Sequence, residues 1–168
     1  MVEYAQTLAV YNRWMNARIY AACSMLADEQ RKRDVGAFFK SIHGTLNHIL
    51  LGDRIWLGRF TSRPFVFRSL DQELYSDFVE LRTQRSSTDE DIKTWVDSLS
   101  DSEFAGQMSY TSVINPQPRT YPFWLAVAQL FHHQTHHRGQ VTALLMQQGI
   151  DPGVTDLIAL PQVQRKLP

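Results

Sequence analysis

Residues 122–149 read PFWLAVAQLFHHQTHHRGQVTALLMQQG. Phe123, Val127, Leu130, Phe131, Val141 and Leu145 recur at helical spacing and define one apolar side. Pro122 is acceptable at a first helical position and Gly149 supplies a stop, so one long helix is predicted over 122–148. Four of the chain's six histidines lie within it. His132 pairs with His136 and His133 with His137, each at i, i+4, and the two pairs point about 100° apart. His133 and His137 flank the apolar side, whereas His132 and His136 fall nearly opposite it. The former pair is expected to face a neighbouring helix and the latter solvent.

Upstream of that helix, residues 100–121 mix Thr, Val, Ile and Tyr with two prolines and read as a loop or short irregular hairpin. A helical region over about 70–99 carries Leu70, Leu74, Phe78 and Leu81, then Ile92, Trp95, Val96 and Leu99. Its polar run SSTDED (86–91) is expected to break it into two pieces. Pro64 in TSRPF ends a second helix, read over 37–60. That helix is apolar on two sides, and Gly44 and Gly52 lie one turn either side of His48, where they admit a close neighbour. The first helix, over 2–27, shows a stripe of Leu8, Tyr11, Met15, Ile19, Ala22 and Leu26, followed by a solvated connection, DEQRKRD. The tail DPGVTDLIALPQVQRKLP is expected to be partly extended and packed across a bundle end. Four long helical segments with little strand potential predict an all-α four-helix bundle in a single domain spanning 1–168.

Composition narrows the function. The chain has 168 residues, with 17 Lys plus Arg against 17 Asp plus Glu, so its formal charge is zero. That balance removes the electrostatic argument for a nucleic-acid or anionic-membrane partner. No stretch approaches the roughly 18 consecutive apolar residues of a membrane span, and the N-terminus lacks a secretory pattern, so a cytoplasmic location is expected. A lone cysteine, Cys23, permits neither an intramolecular disulfide nor a four-cysteine zinc site. It is read as a small buried hydrophobe.

Two imidazoles at i, i+4 can chelate one metal ion. Gln134 stands where a zinc peptidase of the HExxH type needs its glutamate, which excludes that chemistry. A third ligand must come from elsewhere, and His48 and His43 are the histidine donors available. Periodicity does not choose between them, although the small residues around His48 favour it. Asp53 is a candidate acceptor for an imidazole N–H. Arg138 and Gln140 are candidates to orient a helix end, a carboxylate or a subunit contact, and Trp14 and Trp56 are read as core or pocket-lining aromatics.

Three segments carry a family resemblance: YNRWMNARIY (11–20), LNHILLGDRIWLGRF (46–60) and FHHQTHHRGQVTALLMQQGIDPGVTDLIALP (131–161). In this order they resemble the signatures of the DinB/YfiT-like family of metalloenzymes, which is distinct from the DNA polymerase that shares the DinB name. The resemblance implies a four-helix bundle of up-down-down-up connectivity whose three histidines, here His48, His133 and His137, hold a divalent metal. It also implies a homodimer and a small-molecule substrate. Related enzymes join low-molecular-weight thiols to electrophiles or isomerise substrates with a thiol cofactor, so a thiol-dependent transferase is the leading expectation. A hydrolase and a non-catalytic metal- or ligand-binding bundle are the alternatives.

Three neutral imidazoles leave a coordination position open, unlike a closed structural zinc site. The donors suit Zn²⁺, Ni²⁺, Fe²⁺ or Cu²⁺. Zn or Ni leads the expectation, with Fe or Mn as alternatives.

Overall fold

A computed structural model describes residues 1–112 and 116–165 of the chain. Its elements in order are α1 (Val2–Cys23), α2 (Asp28–Lys32), α3 (Ile42–Phe60), α4 (Phe78–Asp97), α5 (Asp101–Phe104), β1 (Gln107–Thr111), β2 (Pro118–Pro122), α6 (Phe123–Gln147), a 3-10 turn (Leu157–Ala159) and α7 (Pro161–Gln164). The long helices α1, α3, α4 and α6 form the body. α1 packs on α4 and α6, and α3 packs on the same two. The protein is mostly helical, as expected. Residues 113–115 of the expected loop and 166–168 of the tail lie outside the described residues.

The core has two apolar compartments separated by a polar waist. Tyr11, Met15 and Ile19 of α1 join Leu46 and Leu50 of α3, Leu81 of α4 and Leu145 of α6 in one compartment. Ala5 and Ala9 of α1 join Ile92 and Val96 of α4 and Val127 and Leu130 of α6 in the other. Between them lie Asn12, Asn16, Asp53, Arg85, Asp89, Gln134 and Arg138, all buried. Asn12 and Asn16 donate to Asp89 Oδ1 at 3.0 and 2.9 Å. Arg85 donates to Asp53, and its other terminal nitrogen lies 2.9 Å from Asp89 Oδ1, an ion pair by distance without hydrogen-bond alignment. Arg138 donates to Asn12 Oδ1 and Gln134 Oε1. Two guanidinium groups thus face two carboxylates inside the bundle. An axial slip of any helix by one turn sets a charge against an apolar compartment, at a cost of several kcal/mol per ion. The waist therefore fixes the register of the four helices.

This layer explains the main departures from the periodicity. The run SSTDED does not break its helix: α4 is continuous through it. Thr88 and Asp89, within that polar run, are buried in the waist, and Thr88 Oγ1 donates to the Gln84 carbonyl. Nor does that helix begin at residue 70. It begins at Phe78, where the Asp77 side chain accepts the Glu80 N–H as an N-cap. The segment 61–77 instead returns along α3, with the Leu74 and Tyr75 N–H groups on Asn47 Oδ1.

α3 starts at Ile42 rather than 37, capped by Ser41, and Phe38, within the expected helix, is 85 % exposed. α1 stops at Cys23. The expected irregular hairpin is an antiparallel pair with Met108 opposite Tyr121. α6 ends in a Schellman turn. Gly149 has φ +78°, its N–H donates to the Met146 carbonyl, and the Ile150 N–H reaches the Leu145 carbonyl. Beyond it the tail crosses the bundle, burying Leu160 and accepting the Tyr11 hydroxyl on the Thr155 carbonyl.

Candidate metal centre

His48, on the second turn of α3, meets His133 and His137 in the middle of α6, beside the polar waist. One candidate ligand atom from each of the three lies within 4.8 Å of the others. The Nε2 atoms of His48 and His133 are 3.0 Å apart, and ring centroids are 4.6 Å apart for His48–His137 and 4.5 Å for His133–His137. Tetrahedral coordination at about 2.0–2.1 Å per Zn–N bond sets ligand nitrogens roughly 3.3 Å apart, so this spacing suits one ion.

The surroundings decide which nitrogens face inward. His48 Nδ1 lies 2.8 Å from the Leu70 carbonyl, which can only accept, so that nitrogen holds the proton and Nε2 presents its lone pair. His137 Nδ1 donates in the same way to Gln140 Oε1 at 2.8 Å. His133 Nδ1 is buried without a partner. Two neutral imidazoles set Nε2 to Nε2, one of them already committed elsewhere, suit a shared cation. Protons compete poorly for the site. Burial pushes His48 down to about 4 and His133 down to about 3, with neighbouring imidazoles adding to both shifts, and burial also lowers His137. At neutral pH the trio is therefore uncharged and free to coordinate. The donor set fits a divalent transition metal.

Close approach is built in, as the two glycines suggested. A Cβ on Gly52 would stand 2.6 Å from His133 Cε1, and one on Gly44 would strike the Phe39 carbonyl oxygen. Phe39 in turn stacks on His48 with centroids 3.7 Å apart and meets His137 edge-on at 5.5 Å. Gly52→Ala should raise intrinsic helix propensity by up to about 1 kcal/mol yet displace the His133 ring. We expect metal affinity to fall about 10–100-fold, the usual scale for disturbing the support of a ligand, with little loss of melting temperature. Competition against a chelator of known affinity checks it.

The other candidates separate cleanly. His43 is buried and donates from Nε2 to the Tyr75 carbonyl at 2.9 Å, tying the 61–77 return to α3. His132 and His136 are exposed, as the helical wheel indicates. Asp53 does not serve as an imidazole acceptor: it is wholly buried and its hydrogen-bond donor is Arg85, because the waist claims that face of α3. Arg138 belongs to the waist as well. Gln140 is the orienting group for His137, legible in the sequence only as an i+3 amide. Leu70, the acceptor for His48, was not legible at all, since a backbone carbonyl carries no sequence signal. Cys23 is fully buried, and burial pushes its thiol up to about 12. Ellman's reagent at pH 8 should therefore leave the native protein unmodified and titrate one thiol per chain after denaturation.

His48 and His133 of the trio line a cavity of about 210 Å³ that Gly52, Trp56, Arg59 and Tyr110 also bound, among others. A larger hollow, about 640 Å³, lies away from the histidines between α3 and α4, against Arg54, Thr88 and Trp95. Among the described residues, no helix is long and apolar enough to cross a membrane.

Within this mostly helical fold three histidines from two helices converge as a group that could hold a metal ion, two of them lining a cavity. A model of the DinB family matches residues 1–167, and the chain belongs to that family. It is similar to the protein named "Protein DinB" of Bacillus subtilis (strain 168), with 24% identity over 160 residues, covering 93% of this chain and 92% of that protein.

Proposed function

We propose that His48, His133 and His137 hold one divalent transition metal, Zn or Ni in the first instance and Fe or Mn otherwise, and that the protein is a metal-dependent enzyme of the thiol S-transferase type. The observation that carries this reading is the trio itself: three neutral imidazoles converge, and two of them, His48 and His133, line a cavity. When bound, a divalent ion there supplies Lewis acidity that brings the pKa of a coordinated thiol or water towards neutrality. The chain's own residues do the rest. The Leu70 carbonyl and Gln140 hold two rings in the required tautomer, and Phe39 closes one side with an apolar face. Trp56 and Tyr110 wall the cavity and limit water around the reacting groups.

The single domain, the up-down-down-up run of helices, the homodimer and the cytoplasmic location belong to the same proposal. The return of 61–77 along α3 supports the connectivity. The dimer is tested by light scattering: a mass near twice that of one chain is expected, and a mass near that of one chain overturns it.

Metal-loaded protein is expected to accelerate the consumption of an alkyl halide probe by a low-molecular-weight thiol, with His137→Ala reducing that rate to the uncatalysed level. A metal-edge anomalous map should place the ion on the three named histidines. Density on His43, or between His132 and His136, overturns the assignment. A second reading, a non-catalytic metal-stabilised bundle, draws on the fact that the trio bridges α3 and α6. It predicts a metal-dependent melting temperature with no turnover on any thiol and electrophile pair.

A further inference from the structure

Three hollows adjoin beside the histidine trio. The cavity of about 210 Å³ that touches His48 and His133 shares Arg59 and Tyr110 with a neighbour of about 250 Å³. It shares Trp56 and Tyr110 with another of about 310 Å³. Among the described residues lining all three there is no Asp or Glu, and Arg59 is the one Lys or Arg.

Arg59 is held as a receptor. Its guanidinium carbon lies 4.7 Å from the Trp56 ring centre and 4.2 Å from that of Tyr110. Those two rings meet at 74° with centroids 5.6 Å apart, so the cation sits in the corner between them. No carboxylate among the described residues pairs with it, in contrast to Arg13, which has Glu90, and Arg85, which has Asp53 and Asp89. A half-buried cation fixed by two aromatic faces has already lost side-chain freedom and part of its hydration. Its planar fork is matched to a carboxylate. A divalent ion on three neutral histidines adds further positive charge at the other end of the same wall. An anion entering this space therefore meets attraction at both ends and no repelling carboxylate in the walls.

The two ends are set apart by α3. His48 and Arg59 are separated by about 16 Å along the helix axis at 1.5 Å per residue, and an arginine side chain leans back towards the N-terminus. The gap left for a ligand is therefore shorter than about 16 Å, within reach of an extended chain of several bonds.

We propose that this site takes an anionic small molecule whose carboxylate is received by Arg59 while its thiol end reaches the histidine trio. The thiol end rests on the function proposed above; the carboxylate end rests on Arg59 and the acid-free walls alone. Isothermal calorimetry with 6-mercaptohexanoate and its neutral analogue 6-mercaptohexan-1-ol tests both ends separately, in metal-loaded and metal-stripped protein. Wild type is expected to bind the carboxylate at least about tenfold more tightly than the alcohol, both with and without metal. Arg59→Gln is expected to abolish that preference while keeping its metal content, and Arg59→Lys to restore part of it. Equal affinity for the two probes in wild-type protein, or an unchanged preference in Arg59→Gln, overturns the proposal. A carboxylate preference that survives in stripped protein, without any gain in affinity on adding metal, upholds Arg59 and counts against the thiol–metal reading instead.

Discussion

Replacing Arg85 by methionine is expected to destabilise the protein by about 3–5 kcal/mol at neutral pH, the usual cost of removing one partner from a buried ion pair. Arg85 is 2 % exposed and faces both Asp53 and Asp89, so its loss strands two carboxylates inside the bundle. The deficit should depend on pH with a definite sign. Burial raises the Asp53 carboxyl to about 7 against the pull of Arg85, and burial raises Asp89 as well. Deleting the guanidinium raises both further. The folded state then binds more protons than the unfolded one between the ordinary carboxyl value near 3.8 and the raised values, so stability falls as pH rises through that window. Relative to wild type, the deficit grows where the variant's carboxyls remain protonated after those of the wild type have ionised. Urea titrations should therefore show it smallest at acid pH and largest above pH 7. Adding Asp53→Asn to Arg85→Met should cost less than the sum of the two single changes, because the two groups share one network. Additive losses, or a deficit that grows on acidification, would contradict the account of the waist.

The second large effect concerns the histidines. With free metal at about a thousand times its Kd, binding to the folded state alone adds about 4 kcal/mol of stability. For a chain of this length that corresponds to a rise in melting temperature of roughly 8–16 °C. His133→Ala should lose nearly all of the rise, because it breaks the i, i+4 chelate and leaves two imidazoles on different helices. His132→Ala is the matched control: it removes an exposed imidazole and should preserve the full shift. Differential scanning fluorimetry with and without added Zn²⁺ or Ni²⁺ separates them. An equal shift in both variants would place the ion elsewhere.

Much of the candidate centre was legible because its signals are local. Helical spacing alone divides His133 and His137 from His132 and His136, and the glycines flanking His48 announce a close neighbour, which turns out to be the His133 ring on one side and Phe39 on the other. The waist was illegible for the opposite reason. Thr88 and Asp89 are polar residues in a polar run, and only their partners, Asn12 and Asn16 on α1, make them interior. Asp53 was read towards the histidines when its partner lay on α4. Leu70 and Leu74 mimicked a helical repeat, whereas that stretch is an extended return held by side chains of α3. Arg59 carried no signal as one more cation in a balanced composition. Its meaning comes from the two rings and from the acids missing around it.

The Leu70 carbonyl has a kinetic consequence. The ring that completes the trio takes its orientation from a strip of chain with no helix or sheet ladder of its own, tied down by His43, Asn47 and His48. Such strips open at lower free energy than the helices beside them. Loosening 66–77 frees His48 to rotate while the four helices stay packed. The residence time of whatever the trio holds is then expected to follow the opening of this loop rather than the melting of the bundle.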